Sequence, residues 1–389
     1  MINSYYVIFA LLSILSITFM ILYFTKNTTD CSKCTTDCSK CGHNDPTKKI
    51  GKCPSDFTGT LIRSWKGTDI IPTNEKGWSY FIGSDLTHGY VNYYQANPNL
   101  NDPSSNFYGS NPNQLKIQLS DVKNVSIDSV RLRSDSTWDY GLFVIDLEKI
   151  PYGQYIWPAF WLNGLTTGGS KDTWPIAGEI DIIEGGWDEG GSKTNTVSIH
   201  TEPGYSQPNL NLNNNGGNCN DCGGGPKCGY KTCGKGGRSN PPSGETCPFN
   251  ACSGQWPKGK GYGEDFYNNG GGIYATQVNC DGTLKLWFVP SNNGKSTSYK
   301  SIQKILLSDQ KLSSDILDNL NQDDVEVLNL NIKPDSSPYK NLQIVINTTI
   351  CGDAFTGENN RDKCDPQTFY SPALFENSQW IINTINVYQ

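Results

Sequence analysis

Short segments in which apolar and polar residues alternate recur along the chain, separated by turns rich in Gly, Pro and Asn. Residues 129–134 and 272–278 show this period of two, which places successive side chains on opposite faces of a β-strand. The pair Asp281-Gly282 then predicts a hairpin to residues 284–289. Strands repeated about every 10 to 15 residues are typical of sandwiches. The pattern therefore predicts an all-β fold, with residues 300–323 as a helix or an irregular loop.

The segment Glu179–Glu184, Glu-Ile-Asp-Ile-Ile-Glu, alternates carboxylates with isoleucines and has glycine on both sides. As a strand it would have an acidic face with Glu179 and Asp181, and an apolar face. Glu184 lies an odd number of residues after Glu179, so a regular strand would point it to the apolar face. We therefore predict a β-bulge at residues 182–183, where one extra residue returns Glu184 to the acidic face.

Carboxyl groups crowded at one place cannot all be ionised at neutral pH, so at least one is expected to hold a proton. A protonated carboxyl beside a carboxylate is the equipment of a retaining glycosidase, in which the two groups lie roughly 5–5.5 Å apart. Two other interpretations of this segment stay open. It could be a solvated acidic face, or its oxygens could hold a calcium ion.

The bulged pattern Glu-x-Asp-x-x-Glu resembles the signature of glycoside hydrolase family 16, the β-jelly-roll glucanases. The resemblance runs from about residue 60 to the C-terminus, with further similar segments at residues 157–162 and 380–388. Within the family, the chain is similar to the fungal endo-1,3(4)-β-glucanase, or laminarinase-like, branch. The resemblance implies a β-jelly-roll sandwich of two antiparallel sheets, similar to concanavalin A.

The same resemblance implies a role for each acid. Glu179 would be the nucleophile, Glu184 the general acid/base, and Asp181 the partner that holds and tunes Glu179. No cofactor would be required. Family members often carry a structural calcium ion on the sheet face away from the cleft, although no cluster of metal ligands in the sequence identifies such a site here.

Five further residues are candidates for sugar binding. Sugar rings stack their C–H faces on flat side chains, and Trp161 and Trp174 are close in sequence to the acidic strand. His200, in a His-Thr pair similar to that of the family, is expected either to bond Glu184 or substrate, or to be structural. By resemblance, Asn92 and Arg133 would face the sugars on the glycone side.

Composition limits the partner. A net charge of −7 without a basic stripe argues against nucleic acid. Aromatic residues make up 11% of the chain and charged residues only 18%, which fits a neutral polymer better. We therefore expect a β-glucan polysaccharide as the partner of a monomeric protein.

Residues 5–24 form an uncharged, mostly apolar run long enough to cross a bilayer core of roughly 30 Å. The residues before it carry no Lys or Arg and no small-x-small cleavage site follows, so an uncleaved anchor within residues 1–25 is favoured over a signal peptide. The following Lys26 would weakly favour a cytoplasmic C-terminal side, but the cysteine content and the expected substrate favour the opposite. We expect a catalytic domain that is extracellular, lumenal or on a particle surface, and secreted if residues 1–25 are cleaved.

The chain holds two cysteine-rich tracts. A heptapeptide repeat within residues 26–56 places cysteines at Cys31, Cys34, Cys38 and Cys41, which predicts a stalk or, alternatively, a metal site. The catalytic domain, residues 57–389, has an insertion at about residues 207–263 with six cysteines, for which disulfides are favoured over zinc. Nearer the C-terminus, Cys351 is expected to pair with Cys364.

These features together predict a retaining endo-β-glucanase that hydrolyses β-1,3 or mixed β-1,3/1,4 glucans with two carboxylates. One alternative is a transglycosylase that uses the same residues with a sugar hydroxyl in place of water. Another is a catalytically inert, glycan-binding surface protein.

Overall fold

The computed structural model divides the chain into two compact units, Met1–Lys52 and Cys53–Gln389. The described residues all lie in the second unit and are 57–73, 75–100, 106–108, 113–119, 127–166, 174–185, 194–201, 209–212, 250–256, 261–321, 325–331, 337–353 and 376–389. The predicted anchor at residues 5–24 and the cysteine tract at residues 26–56 lie outside them. Among the described residues, no helix is long and apolar enough to span a membrane.

Most of the regular secondary structure in the described residues is β-strand. The strands are β1 (Leu61–Lys66), β2 (Trp78–Phe81), β3 (Gly83–Ser84), β4 (Val91–Tyr93), β5 (Phe107–Tyr108), β6 (Leu115–Ile117), β7 (Ile127–Ser129), β8 (Arg131–Ser134), β9 (Gly141–Lys149), β10 (Ile156–Asn163), β11 (Glu179–Glu184), β12 (Thr196–Thr201), β13 (Asn209–Leu212), β14 (Asn250–Gln255), β15 (Gly272–Val278), β16 (Leu284–Pro290), β17 (Glu326–Asn331), β18 (Gln343–Ile350) and β19 (Trp380–Tyr388). The helices are α1 (Gly263–Asn268), α2 (Thr297–Leu307) and α3 (Ser314–Asp318), with a 3-10 turn at Gly67–Ile70.

Two large antiparallel sheets form a sandwich, as predicted. Within the described residues, the larger sheet has nine strands in the order β13-β17-β16-β15-β9-β19-β6-β5, with β1 paired to β19. The smaller sheet has seven strands in the order β14-β12-β11-β10-β18-β8-β2. A third, three-stranded sheet, β3-β4-β7, contains a parallel pair, β4 and β7.

Alternation along the strands produces the main core between the two large sheets. The acidic strand β11 contributes Ile180, Ile182 and Ile183 to this core, and the facing sheet contributes Ile145 and Phe288 among others. All five side chains are at most 1% exposed. The isoleucines of the acidic strand therefore fix its apolar face inward and leave its carboxylates on the outer face of the seven-stranded sheet.

Helix α2 packs on part of the outer face of the nine-stranded sheet, against β15, β16 and β19. Tyr299, Ile302 and Leu306 of the helix pack in one buried cluster with residues of that sheet, including Val144 and Trp287. The outer face of the seven-stranded sheet, by contrast, is polar and carries the three carboxylates of β11.

The predicted insertion contributes a strand to each large sheet. β13 lies at the edge of the nine-stranded sheet, and β14 pairs with β12, the strand that carries His200. The insertion therefore borders β12, the neighbour of the acidic strand. The rest of residues 207–260, and the cysteine pairing expected there, lie outside the described residues except for Trp256.

One element prediction was wrong. Residues 129–134 are not one strand, because the chain leaves the three-stranded sheet after Ser129 and enters the seven-stranded sheet at Arg131. By contrast, the predicted hairpin is confirmed, since Asn279 N donates to Thr283 O across its turn.

Cys280 takes part in a disulfide bond, and so, separately, does Cys351. The expected partner of Cys351, Cys364, lies outside the described residues, so that pairing stays a prediction.

Candidate active site

The predicted bulge is present in the acidic strand. Opposite β10, Phe160 pairs with Ile183 and Trp161 pairs with Asp181, so Ile182 has no partner in the register. The register with β12 shifts between Asp181 and Glu184 as well. One extra residue has therefore been inserted between the second and third acids, as the prediction requires.

The bulge brings all three acids to the same face. Glu179 lies opposite His200, and Asp181 lies opposite Ser198; directly opposed residues in an antiparallel pair share a face. Ser198 Oγ also donates to Glu184 Oε2 at 3.1 Å. Glu184 therefore points to the side of the sheet that carries Asp181 and Glu179.

Glu184 is held by two neutral side chains. Trp157 Nε1 donates to Oε1 at 3.0 Å, and Ser198 approaches Oε2. An indole N–H can only donate, whereas a hydroxyl can either donate or accept. Oε1 must therefore remain an acceptor while Trp157 bonds it, so the proton of the acid form belongs on Oε2, where Ser198 can adjust.

Glu179 has a different environment. Trp174 Nε1 donates to its Oε2 at 2.8 Å, and His200 Nε2 lies 3.7 Å from its Oε1. The same His200 nitrogen lies 3.4 Å from Asp181 Oδ2. His200 thus stands beside the first two acids, and the indole of Trp174, 48% exposed, extends from the Glu179 carboxylate towards solvent.

Burial makes these carboxyls weak acids. Desolvation, followed by the charge of Asp181, raises the pKa of Glu179 to about 7, against the lowering effect of His200, Trp174 and Arg131. Desolvation raises the pKa of Asp181 to about 8. Desolvation and Asp181 also raise the pKa of Glu184 well above its ordinary value. The three groups therefore share protons near neutral pH, as crowding predicted.

Beside the acids, a stacked group of rings and guanidinium groups lines the same face. Arg131 Cζ lies 5.0 Å from the centroid of the Trp161 ring and 4.8 Å from that of Phe81. Arg133 Cζ lies 5.6 Å from the Phe81 centroid. Trp161 Nε1 donates to Asn347 Oδ1 at 2.8 Å. These side chains give the face flat aromatic and cationic surfaces next to the carboxylates.

The predicted sugar-binding residues are placed unequally. Trp161, Trp174, His200 and Arg133 lie on or beside the face that carries the acids, while Asn92 is exposed on β4 in the separate three-stranded sheet. Whether they contact sugar stays a prediction.

Sequence reasoning missed three close neighbours of the acids, Trp157, Ser198 and Arg131. Trp157 could have been found, because it lies four residues before Trp161 on one strand and so shares its face. Ser198 lies two residues before His200 and follows the same rule.

Glu179, Asp181 and His200 could also hold a metal ion, since one ligand atom from each lies within 4.8 Å of the others. Among the described residues, this is the one group of three or more His, Cys, Asp and Glu side chains placed in that way. It does not fit the structural calcium ion that the family resemblance implied. It lies on the acidic face rather than away from it, and one of its three ligands is a nitrogen, whereas calcium takes oxygens.

Comparison with known sequences identifies relatives. The chain is 27% identical over 353 residues to a probable endo-1,3(4)-β-glucanase of Aspergillus niger, covering 85% of this chain and 40% of the relative. It is 28% identical over 342 residues to an endo-1,3(4)-β-glucanase of Arthroderma benhamiae, covering 80% and 61%. A probable glycosidase of Schizosaccharomyces pombe is 25% identical over 352 residues, covering 85% and 70%. The chain thus matches only part of the length of each.

Solved structures share the fold. A family 16 laminarinase 16A from Phanerochaete chrysosporium, with β-glucans in donor and acceptor sites, superposes with a TM-score of 0.56 at 22% identity, covering 85% of this chain and 99% of that one. An elongating family 16 β-1,3-glucosyltransferase gives a TM-score of 0.58 at 24% identity, with the same coverage. Residues 78–388, which include every strand of the seven-stranded sheet, match the sequence family of XgeA-like catalytic domains of glycoside hydrolase family 16. The chain therefore belongs to the XgeA-like catalytic domains of glycoside hydrolase family 16.

Proposed function

We propose that this chain is a retaining endo-β-glucanase that cleaves β-1,3 or mixed β-1,3/1,4 glucans. The observation that carries the proposal is the bulge in β11, which gathers Glu179, Asp181 and Glu184 on one polar, aromatic-lined face. The glucanase names of the curated relatives support the choice of substrate.

In the first step, ionised Glu179 would attack the anomeric carbon while protonated Glu184 gives its proton to the departing glycosidic oxygen. Three features suit Glu179 to this role: the indole N–H of Trp174 on Oε2, the adjacent His200, and a neighbour, Asp181, that keeps its proton to higher pH. A protonated Asp181 removes a negative charge that would oppose ionisation of Glu179.

In the second step, Glu184, now a carboxylate, would take a proton from water as that water attacks the glycosyl-enzyme bond and frees Glu179. Trp157 and Ser198 can bond Glu184 in both states, because Oε1 accepts throughout and the Ser198 hydroxyl can reverse its direction. Such a site can alternate between acid and base without rearranging its neighbours.

The test is digestion of laminarin, lichenan, xyloglucan, agarose and chitin, with the anomeric configuration of new reducing ends followed by NMR. We expect cleavage of laminarin or lichenan with retention, and loss of cleavage in Glu179→Gln and Glu184→Gln. Products of inverted configuration would contradict the covalent mechanism. Products longer than the substrate would favour transglycosylation, and binding without cleavage in the unmodified chain would favour an inert glycan-binding protein.

We also propose that residues 5–24 anchor the protein in a membrane, with the catalytic domain in an oxidising compartment outside the cytosol. The uncharged apolar run supports the anchor. The disulfides at Cys280 and Cys351 support the compartment, because disulfides are rare in the cytosol. Alkaline extraction of membranes and protease protection test the two statements separately. Release of the full-length chain by alkali would contradict the anchor. Digestion of the catalytic domain by protease added to the cytosolic side of sealed membranes would contradict the compartment.

A further inference from the structure

The bulge in the acidic strand leaves backbone groups that no neighbouring strand can pair regularly, and one side chain meets two of them. Asn195, immediately before β12, is 0% exposed. Its Oδ1 accepts from Glu184 N at 2.8 Å, and its Nδ2 donates to Ile182 O at 2.9 Å.

A side-chain amide is suited to this task because it carries a donor and an acceptor side by side, as a peptide group does. In a regular antiparallel pair, the facing backbone would supply both. Here the amide of Asn195 supplies them from the side, where the extra residue has put the strands out of register. Buried main-chain groups need such partners, so the bulge and Asn195 depend on each other.

The backbone of Asn195 is itself held in place. Its carbonyl accepts from Trp256 N at 2.9 Å, and Trp256 is 1% exposed and belongs to the main core. The backbone that carries the Asn195 side chain is therefore held in place, and this allows the side chain to hold the backbone of the bulge.

The two acids differ in their relation to Asn195. Glu184 is the residue whose own N–H bonds to it, directly after the inserted residue. Glu179 lies before the bulge, in unbroken register with His200 on one side and Asn163 on the other. Loss of the Asn195 amide would therefore disturb the direction of the Glu184 side chain and spare Glu179.

We propose that Asn195 is a positioning residue that aims Glu184 at the glycosidic oxygen by fixing the backbone on both sides of the bulge. The proposal rests on the proposed function, in which Glu184 is the general acid/base. It assigns Asn195 to acid/base catalysis and not to sugar binding or to nucleophilic attack.

The test separates acid catalysis from attack by changing the leaving group. A 2,4-dinitrophenolate departs without protonation, whereas 4-methylumbelliferone and a glucose hydroxyl need progressively more help from an acid. In Asn195→Ala, kcat/KM for laminarin is expected to fall by roughly 10²-fold, as misplacement by about 1 Å can cause. For 2,4-dinitrophenyl β-laminaribioside it should stay within about threefold, because attack by Glu179 is intact.

The second chemical step gives an independent readout. With Glu184 misplaced, breakdown of the glycosyl-enzyme by water should slow, and azide, which needs no base, should restore kcat on the dinitrophenyl substrate and give the β-glycosyl azide. Asn195→Ser, whose single hydroxyl cannot reach both backbone groups, should also lose more activity on laminarin than on the dinitrophenyl substrate, by a smaller factor. This variant replaces Asn195→Ala in the test if the alanine variant does not fold.

Asn106→Ala is the matched control. Asn106 is also 0% exposed and also donates to main-chain carbonyls, those of Gln118 and Asp128, but it lies away from β11. Its loss should lower stability without changing the dependence on the leaving group. Equal losses on laminarin and on the dinitrophenyl substrate in Asn195→Ala, or no loss on either, would overturn the proposal.

Hydrogen exchange at the amide of Glu184 tests the contact without reference to activity. We expect this amide to be protected in the unmodified chain and to exchange at least about tenfold faster in Asn195→Ala, and unchanged protection would overturn the proposal. An unmodified chain that cleaves neither substrate would contradict the proposed function, while the exchange measurement would still decide whether Asn195 fixes the bulge.

Discussion

Each of the two glutamates that would carry out the proposed catalysis accepts a hydrogen bond from a tryptophan. Trp157 bonds Glu184 and Trp174 bonds Glu179. Donors of this kind favour the ionised carboxylate and so oppose the desolvation that raises the pKa of both groups. Burial and the charge of Asp181 on one side, and His200 and the two indoles on the other, therefore together set the pH range in which one glutamate is charged and the other is not.

Removal of the indole N–H at Trp157 should move the alkaline limb of the pH profile. In Trp157→Phe the pKa of Glu184 should rise further, so the acid form survives to higher pH. The ratio of kcat/KM at pH 9 to that at pH 7 is expected to increase by roughly threefold. Trp161→Phe is the control, because Trp161 lies on the same strand face and bonds Asn347 instead of a carboxylate. If the alkaline limb shifted equally in Trp157→Phe and Trp161→Phe, the assignment of that limb to Glu184 would be wrong.

At Trp174 the same change should act on the acid limb. Glu179 must be ionised to attack, and its pKa of about 7 places that limb near neutrality. In Trp174→Phe this pKa rises, so kcat/KM at pH 6 is expected to fall by roughly threefold to tenfold while the value at pH 8 changes less. Because the carboxyls titrate together, the limb reports the whole group. A uniform loss at all pH values would show that Trp174 acts only through sugar binding.

Among individual residues, the sequence predicted the three acids but not the side chains that contact them. Glu179, Asp181 and Glu184 could be identified because alternation has a period of two and an odd spacing demands a bulge. Trp157, Ser198 and Asn195 reach the site from other strands or from a strand end. Their proximity depends on which strands pair and in which register, and neither property is encoded locally.

Among the elements, helix α2 stabilises the sandwich from the side opposite the acids. Its buried residues pack on the nine-stranded sheet, and Ser296 caps it by accepting from Tyr299 N at 3.1 Å. Ile302→Ala should lower the free energy of unfolding by about 2–5 kcal/mol, because Ile302 is 0% exposed. The activity of the folded fraction should be unchanged. Urea unfolding followed by tryptophan fluorescence measures the loss.

For this helix the control is Lys300→Ala, which truncates an exposed side chain of the same helix. We expect a change within about 0.5 kcal/mol. A similar loss of stability in both variants would mean that helix formation, and not packing on the sheet, is what Ile302 contributes.

Element boundaries show where sequence patterns were insufficient. The strand at Gly272–Val278 was predicted with its observed bounds because both of its ends carry turn signals. Residues 129–134 also alternate, but the chain changes sheets at Val130, and alternation continues unbroken across that change. A pattern of period two reports that residues are extended and half-buried, and it does not report which sheet they join.

Over the whole molecule, the buried acids should make stability depend on pH. Glu179, Asp181 and Glu184 have folded-state pKa values raised above those of the unfolded chain. The folded protein therefore holds protons that the unfolded chain has already released. Its free energy of unfolding should fall as pH rises from about 5 to about 8, by up to about 1.4 kcal/mol per pH unit for each group.

Substitution of one acid by its amide should reduce this dependence. Glu184→Gln is expected to be more stable than the unmodified chain at pH 8 by at least about 1 kcal/mol, and to differ less at pH 5. Urea unfolding at the two pH values measures the difference. Ile302→Ala, which removes no titratable group, should destabilise equally at both. If Glu184→Gln were no more stable at pH 8 than at pH 5 relative to its parent, desolvation would not be the cause of the raised pKa.

The first and last strands of the sandwich lie side by side. Leu61 pairs with Tyr388, and Thr60 exchanges two backbone hydrogen bonds with Gln389. Both strands belong to the nine-stranded sheet, whereas the acids lie on the outer face of the other one. A bead, a surface or a fusion partner coupled to Gln389 would therefore be attached at the sheet that does not carry the acids. The acidic face would be left open to long, insoluble polymer chains.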